Sequence, residues 1–227
     1  MIKHKPINID SFNNDVKSSL LQDVEVKTYQ SFAAIEDIDS ITDAYVFVSM
    51  VCVYIDSNNT QSPREFTILL SSIHSIFESN TRCIDIQAFG NCIVGVFDTP
   101  LKTDIDTVLD SVGMVNALFN LANNIPQVSG DKKIRKGIGM VYGKLLMSVL
   151  PQSPETIVNW SGELFQKVLD YSMESISSDS LVYISFSIYN NFKESYQKLF
   201  HKMDVFNDRY EGQPVNIAMD KWNHSNL

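Results

Sequence analysis

The chain has 227 residues, 44% of them hydrophobic and 20% charged, a composition typical of soluble globular proteins and one that argues against disorder. Its 18 Lys and Arg stand against 27 Asp and Glu, a net charge of −9. Such a surface repels a phosphate backbone, so general nucleic-acid binding is not expected, although a single nucleotide can still be held by metal ions and a few placed cations.

The three cysteines, Cys52, Cys83 and Cys92, sit in apolar strand-like runs with no CxxC or Cys/His spacing. They read as buried free thiols of a reducing compartment. The start, Met1-Ile2-Lys3-His4-Lys5-Pro6, lacks the apolar core of a signal peptide. The longest apolar run, residues 44–55, falls short of the ~20 residues needed to span a bilayer as a helix. A cytoplasmic protein without a membrane partner is expected.

Residues 1–43 are polar and weakly periodic and read as an N-terminal extension, with one helix around residues 16–21. Residues 44–55 are almost continuously apolar or β-branched, the pattern of a central strand buried on both faces. The polar turn Asp56-Ser57-Asn58-Asn59-Thr60 ends it. A helix then starts with Ser62 as N-cap, Pro63 in the first turn and Glu65 at capping-box spacing. Phe66, Leu69, Leu70, Ile73, Ile76 and Phe77 follow at helical spacing.

Residues 82–89 and 92–97 are short apolar segments separated by Gly90-Asn91, a tight-hairpin signal because both residues tolerate positive φ. Residues 104–123 read as a second helix, with Ile105, Val108, Leu109, Val112, Val115 and Phe119 on one face. After a polar loop come a strand over 134–149, a helix over 163–174 and a strand over 181–186. Residues 188–200 read as helical, and the last twenty-five residues are polar and carry no clear pattern. The order contains a βαββαβ unit, which predicts an α+β, ferredoxin-like core: an antiparallel sheet with helices on one face. Residues 44–200 are expected to form the domain and 201–227 a tail.

In this order Asp56 leaves the first strand close to the hairpin tip. Carboxylates placed so would bind divalent cations and hold a triphosphate. Several fragments resemble the class III nucleotide cyclases. Val53-Tyr54-Ile55-Asp56-Ser57 resembles the family's first-strand motif, which ends in a metal-binding aspartate. Ala88-Phe89-Gly90-Asn91-Cys92-Ile93-Val94-Gly95-Val96-Phe97 resembles its hairpin, where glycine–aspartate normally sits at the turn. Ile134-Arg135-Lys136-Gly137-Ile138 resembles its arginine-x-glycine-isoleucine strand, and Trp160-Ser161-Gly162 falls where the family has a glycine before the catalytic helix. The resemblance covers roughly residues 44–186. In size the chain also resembles the bacterial pyrimidine cyclases of the Pycsar antiphage systems.

The resemblance implies a metal site for Mn²⁺ or Mg²⁺ at Asp56, the carbonyl of Ser57 and Asn91. Asn91 replaces an aspartate; its amide oxygen can ligate a hard cation but neutralises no charge. It implies triphosphate contact by Arg135, whose guanidinium matches phosphate geometry. Gln87 and Asn159 fall at the family's two base-reading positions and are amides here, able to donate and accept to a pyrimidine edge. The transition-state asparagine position falls on Gln166 and the arginine position on Asp170, a charge reversal, with Lys167 as the neighbouring cation that serves instead.

The family builds each active site between two protomers, so a head-to-tail homodimer is implied. The implied function is conversion of CTP or UTP to the 3′,5′-cyclic monophosphate as an antiphage signal. Asn91, Gln166 and Asp170 equally suit a degenerate, cyclase-like dimer that binds nucleotide or a partner without turnover. Each residue also has a plain reading: Asp56 and Asn91 as turn residues, Arg135 as a solvated strand-end cation, Gln87 and Asn159 as surface amides. His4, His74, His201 and His224 form no cluster, and there is no GxxxxGK[ST], GxGxxG or GxSxG motif.

Overall fold

The computed structural model describes residues 26–56, 62–125, 133–151, 156–176, 181–203 and 208–226. The expected helix at residues 16–21 and the metal ligand expected at Ser57 lie outside the described residues. In chain order the elements are β1 (Lys27–Tyr29), two single 3-10 turns, β2 (Asp43–Ile55), α1 (Pro63–Glu78), β3 (Cys83–Phe89), β4 (Cys92–Phe97), α2 (Lys102–Asn124) and β5 (Lys136–Pro151). They continue as β6 (Thr156–Ser161), α3 (Glu163–Ser175), β7 (Val182–Ser185), α4 (Phe186–Asn191), α5 (Glu194–Gln197), β8 (Phe200–Lys202), β9 (Arg209–Gly212) and α6 (Ile217–Asn226).

The strands form one sheet in the order β3-β4-β2-β5-β7-β9-β8, with β1 beside β2 and β6 beside β5. Its first four strands pair antiparallel and, with α1 and α2, make the expected ferredoxin-like unit. β2 is flanked on both sides, which explains its apolar character on both faces. Val51, Val53 and Ile55 pack with Leu69, Ile73 and Phe77 of α1 and with Val108, Val112 and Phe119 of α2. The alternate residues Val46, Val48, Met50 and Cys52 face the opposite core. α1 begins as its capping box requires: the Glu65 N–H donates to Ser62 Oγ at 3.2 Å, and the Ser62 N–H donates to Glu65 Oε2 at 3.3 Å.

That opposite face is not bare. α3, outside the βαββαβ unit, covers it with Val168 and Tyr171, joined by Phe32, Ile35, Ile38 and Ile41 from the segment before β2. Glycines admit the helix. A Cβ at Gly137 would lie 1.8 Å from the Ser172 carbonyl oxygen, and one at Gly139 would lie 2.5 Å from that of Val168. The Ile138 N–H between them donates to the buried Ser175 Oγ at 2.7 Å, pinning α3 to β5.

The sheet runs across both expected domain boundaries, because β1 pairs with β2 and β9 pairs with β7 and β8. The single helix expected over residues 188–200 is corrected to two short ones. Phe192 leaves helical geometry, with φ −67° and ψ 148°, and is buried in the core. The final segment has structure as well: the Asn216 N–H donates to the Gly113 carbonyl at 3.2 Å, and Asn223 Nδ2 donates to the Ala117 carbonyl at 3.1 Å, holding α6 on α2. Cys52 and Cys92 are buried and Cys83 half-buried, all as free thiols.

Candidate functional site

Three of the expected residues come together along one edge of the sheet, the one formed by the ends of its central strands β2, β4 and β5. The Ile55 N–H donates to the Asn91 carbonyl at 2.9 Å, and the Asp56 N–H donates to the Arg135 carbonyl at 3.0 Å. The end of β2 is thus stitched to the hairpin tip on one side and to the entry of β5 on the other. Gly90 makes the tip possible with φ 55°, a conformation that costs glycine nothing. Asp56 and Asn91 are half-buried, whereas Arg135 is exposed. Arg135 Nη2 donates to the Ile176 carbonyl at 2.6 Å, just past the end of α3. There it satisfies an unpaired helix-end carbonyl and complements the negative end of the helix dipole.

The oxygen donors of this edge, the Asp56 carboxylate and the Asn91 amide, suit a hard divalent cation. Among the described residues no group of three His, Cys, Asp or Glu is placed to hold a metal by itself. A cation here would have to complete its shell with water or phosphate oxygens. Next to Arg135, Lys136 is buried with its ammonium 5.2 Å from the centre of the Phe119 ring, and burial lowers its pKa to about 8.

The two expected base-reading amides lie on strands joined by a residue the sequence reading did not single out. Gln87 Nε2 donates to Asp85 Oδ2 at 2.9 Å, and Trp160 Nε1 donates to the same oxygen at 2.8 Å. Gln87 Nε2 also approaches the Val158 carbonyl at 3.5 Å. Asn159 is exposed between Val158 and Trp160 on β6. That strand was missed because its β-branched run, Thr156-Ile157-Val158, is short and stands directly before the stronger helix signal of α3. The Trp160 ring is buried and needs a partner for its N–H, which Asp85 supplies.

Gln166 and Lys167 open onto a third region, a cleft of about 410 Å³ between α3 and the start of β9. Gln166 Nε2 donates to Asp170 Oδ1 at 2.8 Å, so the two side chains hold each other. Lys167 Nζ lies 3.6 Å from Asp208 Oδ2. The lining includes four acids, Glu163, Asp170, Glu174 and Asp208, against two cations, Lys167 and Arg209. Arg209 pairs with Glu174, and its guanidinium lies 4.6 Å from the Tyr183 ring centre. Sequence reasoning missed it because it sits in the polar C-terminal stretch. Burial and the Asp208 charge push the Tyr171 hydroxyl in this cleft up to about 12.

Within one chain Arg135 and Gln166 are separated along α3. Arg135 touches the carbonyl of Ile176, ten residues beyond Gln166, which at the α-helical rise is about 15 Å along the axis. Gln166 and Lys167 therefore lie near the start of α3 and Arg135 at its end, while the cleft itself runs along the helix as far as Glu174.

No protein-family model matches the chain. It is 23% identical over 176 residues to a curated protein of Treponema porcinum named uridylate cyclase. That alignment covers 75% of this chain and 62% of the relative, so the chain spans about three fifths of the relative's length. Among solved structures, the guanylyl cyclase Cya2 superposes with a TM-score of 0.59 at 10% identity, covering 78% of this chain and 96% of that one. The adenylyl cyclase CyaB of Pseudomonas aeruginosa gives 0.61 at 12% identity, covering 78% and 98%. A class III adenylyl cyclase-like ATP-binding protein of the same organism gives 0.64 at 14% identity, covering 95% of this chain and 49% of that one. The chain has the fold of a class III cyclase catalytic domain, and the resemblance read from its motifs is borne out.

Proposed function

We propose that this chain is a nucleotide cyclase that converts a pyrimidine nucleoside triphosphate, UTP or CTP, to its 3′,5′-cyclic monophosphate and pyrophosphate. The observation that carries the reading is the pair of backbone bonds gathering Asp56, Asn91 and Arg135 at one sheet edge. The similarity to a uridylate cyclase supports a pyrimidine substrate. The resemblance to Pycsar cyclases extends the reading to an antiphage second messenger made in the cytoplasm. Among the described residues no helix is long and apolar enough to cross a membrane.

Asp56, with Ser57 and Asn91, would hold Mn²⁺ or Mg²⁺. When bound, the metal supplies Lewis acidity at the ribose 3′-hydroxyl and the α-phosphate. Arg135 exchanges the Ile176 carbonyl for the departing phosphates, a stronger, charge-assisted partner. Gln87 and Asn159 read the base. Gln166 and Lys167 steady the ribose and the transferring phosphorus centre.

The cyclase resemblance implies a second copy placed head-to-tail, one giving Asp56 and Asn91 to a site and the other Gln166 and Lys167. Incubation with each of the four nucleoside triphosphates and Mn²⁺, followed by mass detection, tests the reading. The expected outcome is cyclic UMP or cyclic CMP in preference to purine products. Cyclic purine products alone would reject the pyrimidine reading. The acid-rich cleft and the Gln166–Asp170 bond favour a second reading, a cyclase-like binder. Triphosphate binding without product in any tube would establish it.

A further inference from the structure

We propose that Asp85 is the positioning residue for base recognition, acting through Gln87 and Trp160. This rests on the cyclase reading above and names how that site selects its pyrimidine. Asp85 lies on β3 two residues from Gln87, on the same face of the strand, and its Oδ2 bonds both Gln87 Nε2 and Trp160 Nε1. One carboxylate oxygen therefore ties β3 to β6, the strands that carry the two base-reading amides. Its other oxygen accepts from the Ile86 N–H at 2.9 Å, which anchors the carboxylate to its own strand.

The chemistry of the clamp sets the orientation of the Gln87 amide. A carboxylate accepts hydrogen bonds and donates none, so it selects the nitrogen end of the amide. With Nε2 turned to Asp85 and Val158, Gln87 has its carbonyl oxygen left to offer a nucleotide. An acceptor there matches the N3–H of uracil or the N4 amino group of cytosine and opposes the uracil O4 or the cytosine N3. Which pyrimidine is preferred then depends on where that oxygen sits, and Asp85 sets its place. A pocket built on one oriented polar group discriminates strongly because the wrong base leaves that group unpaired.

The test compares wild type with Asp85→Asn, and with Trp160→Phe as a second variant that keeps the ring and removes one arm of the clamp. KM and kcat for UTP and CTP, calorimetric binding of each with Mn²⁺, and melting temperature are measured on all three. Asp85→Asn is expected to raise KM for the preferred triphosphate about tenfold, with kcat changed less than about threefold, and to shrink the UTP-to-CTP preference about fivefold or more. Trp160→Phe is expected to move the preference in the same direction by less. A lower melting temperature with the preference intact in both variants would show a purely structural bond and overturn the inference. If wild type makes no cyclic product but binds a pyrimidine triphosphate, the cyclase reading fails while the binding ratio still reads Asp85. Wild type that binds neither triphosphate overturns both.

Discussion

The backbone N–H of Asp56 donates to the carbonyl of Arg135 at 3.0 Å. β2 and β5 run antiparallel, with Ile55 opposite Lys136, so the exit of one strand and the entry of the other share an edge of the sheet. A carboxylate and a guanidinium far apart in sequence are thereby held on adjacent strand ends.

Asp56→Ala is expected to abolish the rise in melting temperature that Mn²⁺ with UTP or CTP produces, while stability without ligand shifts by no more than about 0.5 kcal/mol. Asn91→Asp restores a second carboxylate and is expected to raise both metal affinity and turnover. Paired thermal melts and product assays check both. A full-size ligand shift in Asp56→Ala would remove the metal assignment.

Complementation tests whether the proposed site is shared between two copies. Asp56→Ala and the double variant Gln166→Ala/Lys167→Ala are each expected to be inactive. An equimolar mixture leaves half the dimers mixed, with one intact site of two, and should recover about a quarter of wild-type activity. Sedimentation should report about twice the 25.7 kDa chain mass. No recovery from a mixture shown to exchange subunits would place both residue sets in one chain's site.

Gly139→Ala is expected to destabilise the fold by about 3 kcal/mol, because the new methyl carbon would meet the Val168 carbonyl oxygen at 2.5 Å and neither backbone can retreat cheaply. Urea denaturation measures this. An unchanged midpoint would mean that α3 does not rest flush on β5.

Lys136 gives stability a pH dependence of definite sign. Its folded pKa is about 8 against an ordinary 10.5, with burial as the cause. Between those values the unfolded chain holds more protons, so stability from this group rises with pH. Below pH 8 the full penalty applies, and Lys136→Met should stabilise the protein at pH 7 by up to about 3 kcal/mol. That advantage should shrink from pH 8 to 10.5 and vanish above it. Tyr171, raised to about 12, acts with opposite sign at higher pH but is present in both proteins and cancels in the difference. A difference independent of pH would show that the Lys136 amine is solvated.

Much of the frame was legible in the residues themselves, wherever a local rule has a local cause. The apolar run of β2, the Ser62–Glu65 cap and the Gly90-Asn91 turn each specify their element through neighbours a few positions away. Asp56, Asn91 and Arg135 were found through motif order, and they meet as that order implies. What the sequence did not disclose is which side chains face each other across long separations. Asp85 reads as one more strand aspartate until Trp160 folds over it; Gly137 and Gly139 read as breaks in a strand until α3 lies on them. Arg209, in a stretch with no periodicity, becomes a cation of the cleft once β9 pairs with β7. Periodicity and capping act within one or two helical turns or a strand pair, whereas the charge of the cleft and the orientation of the Gln87 amide arise from hydrogen bonds and packing that exist only after the sheet has brought distant segments together.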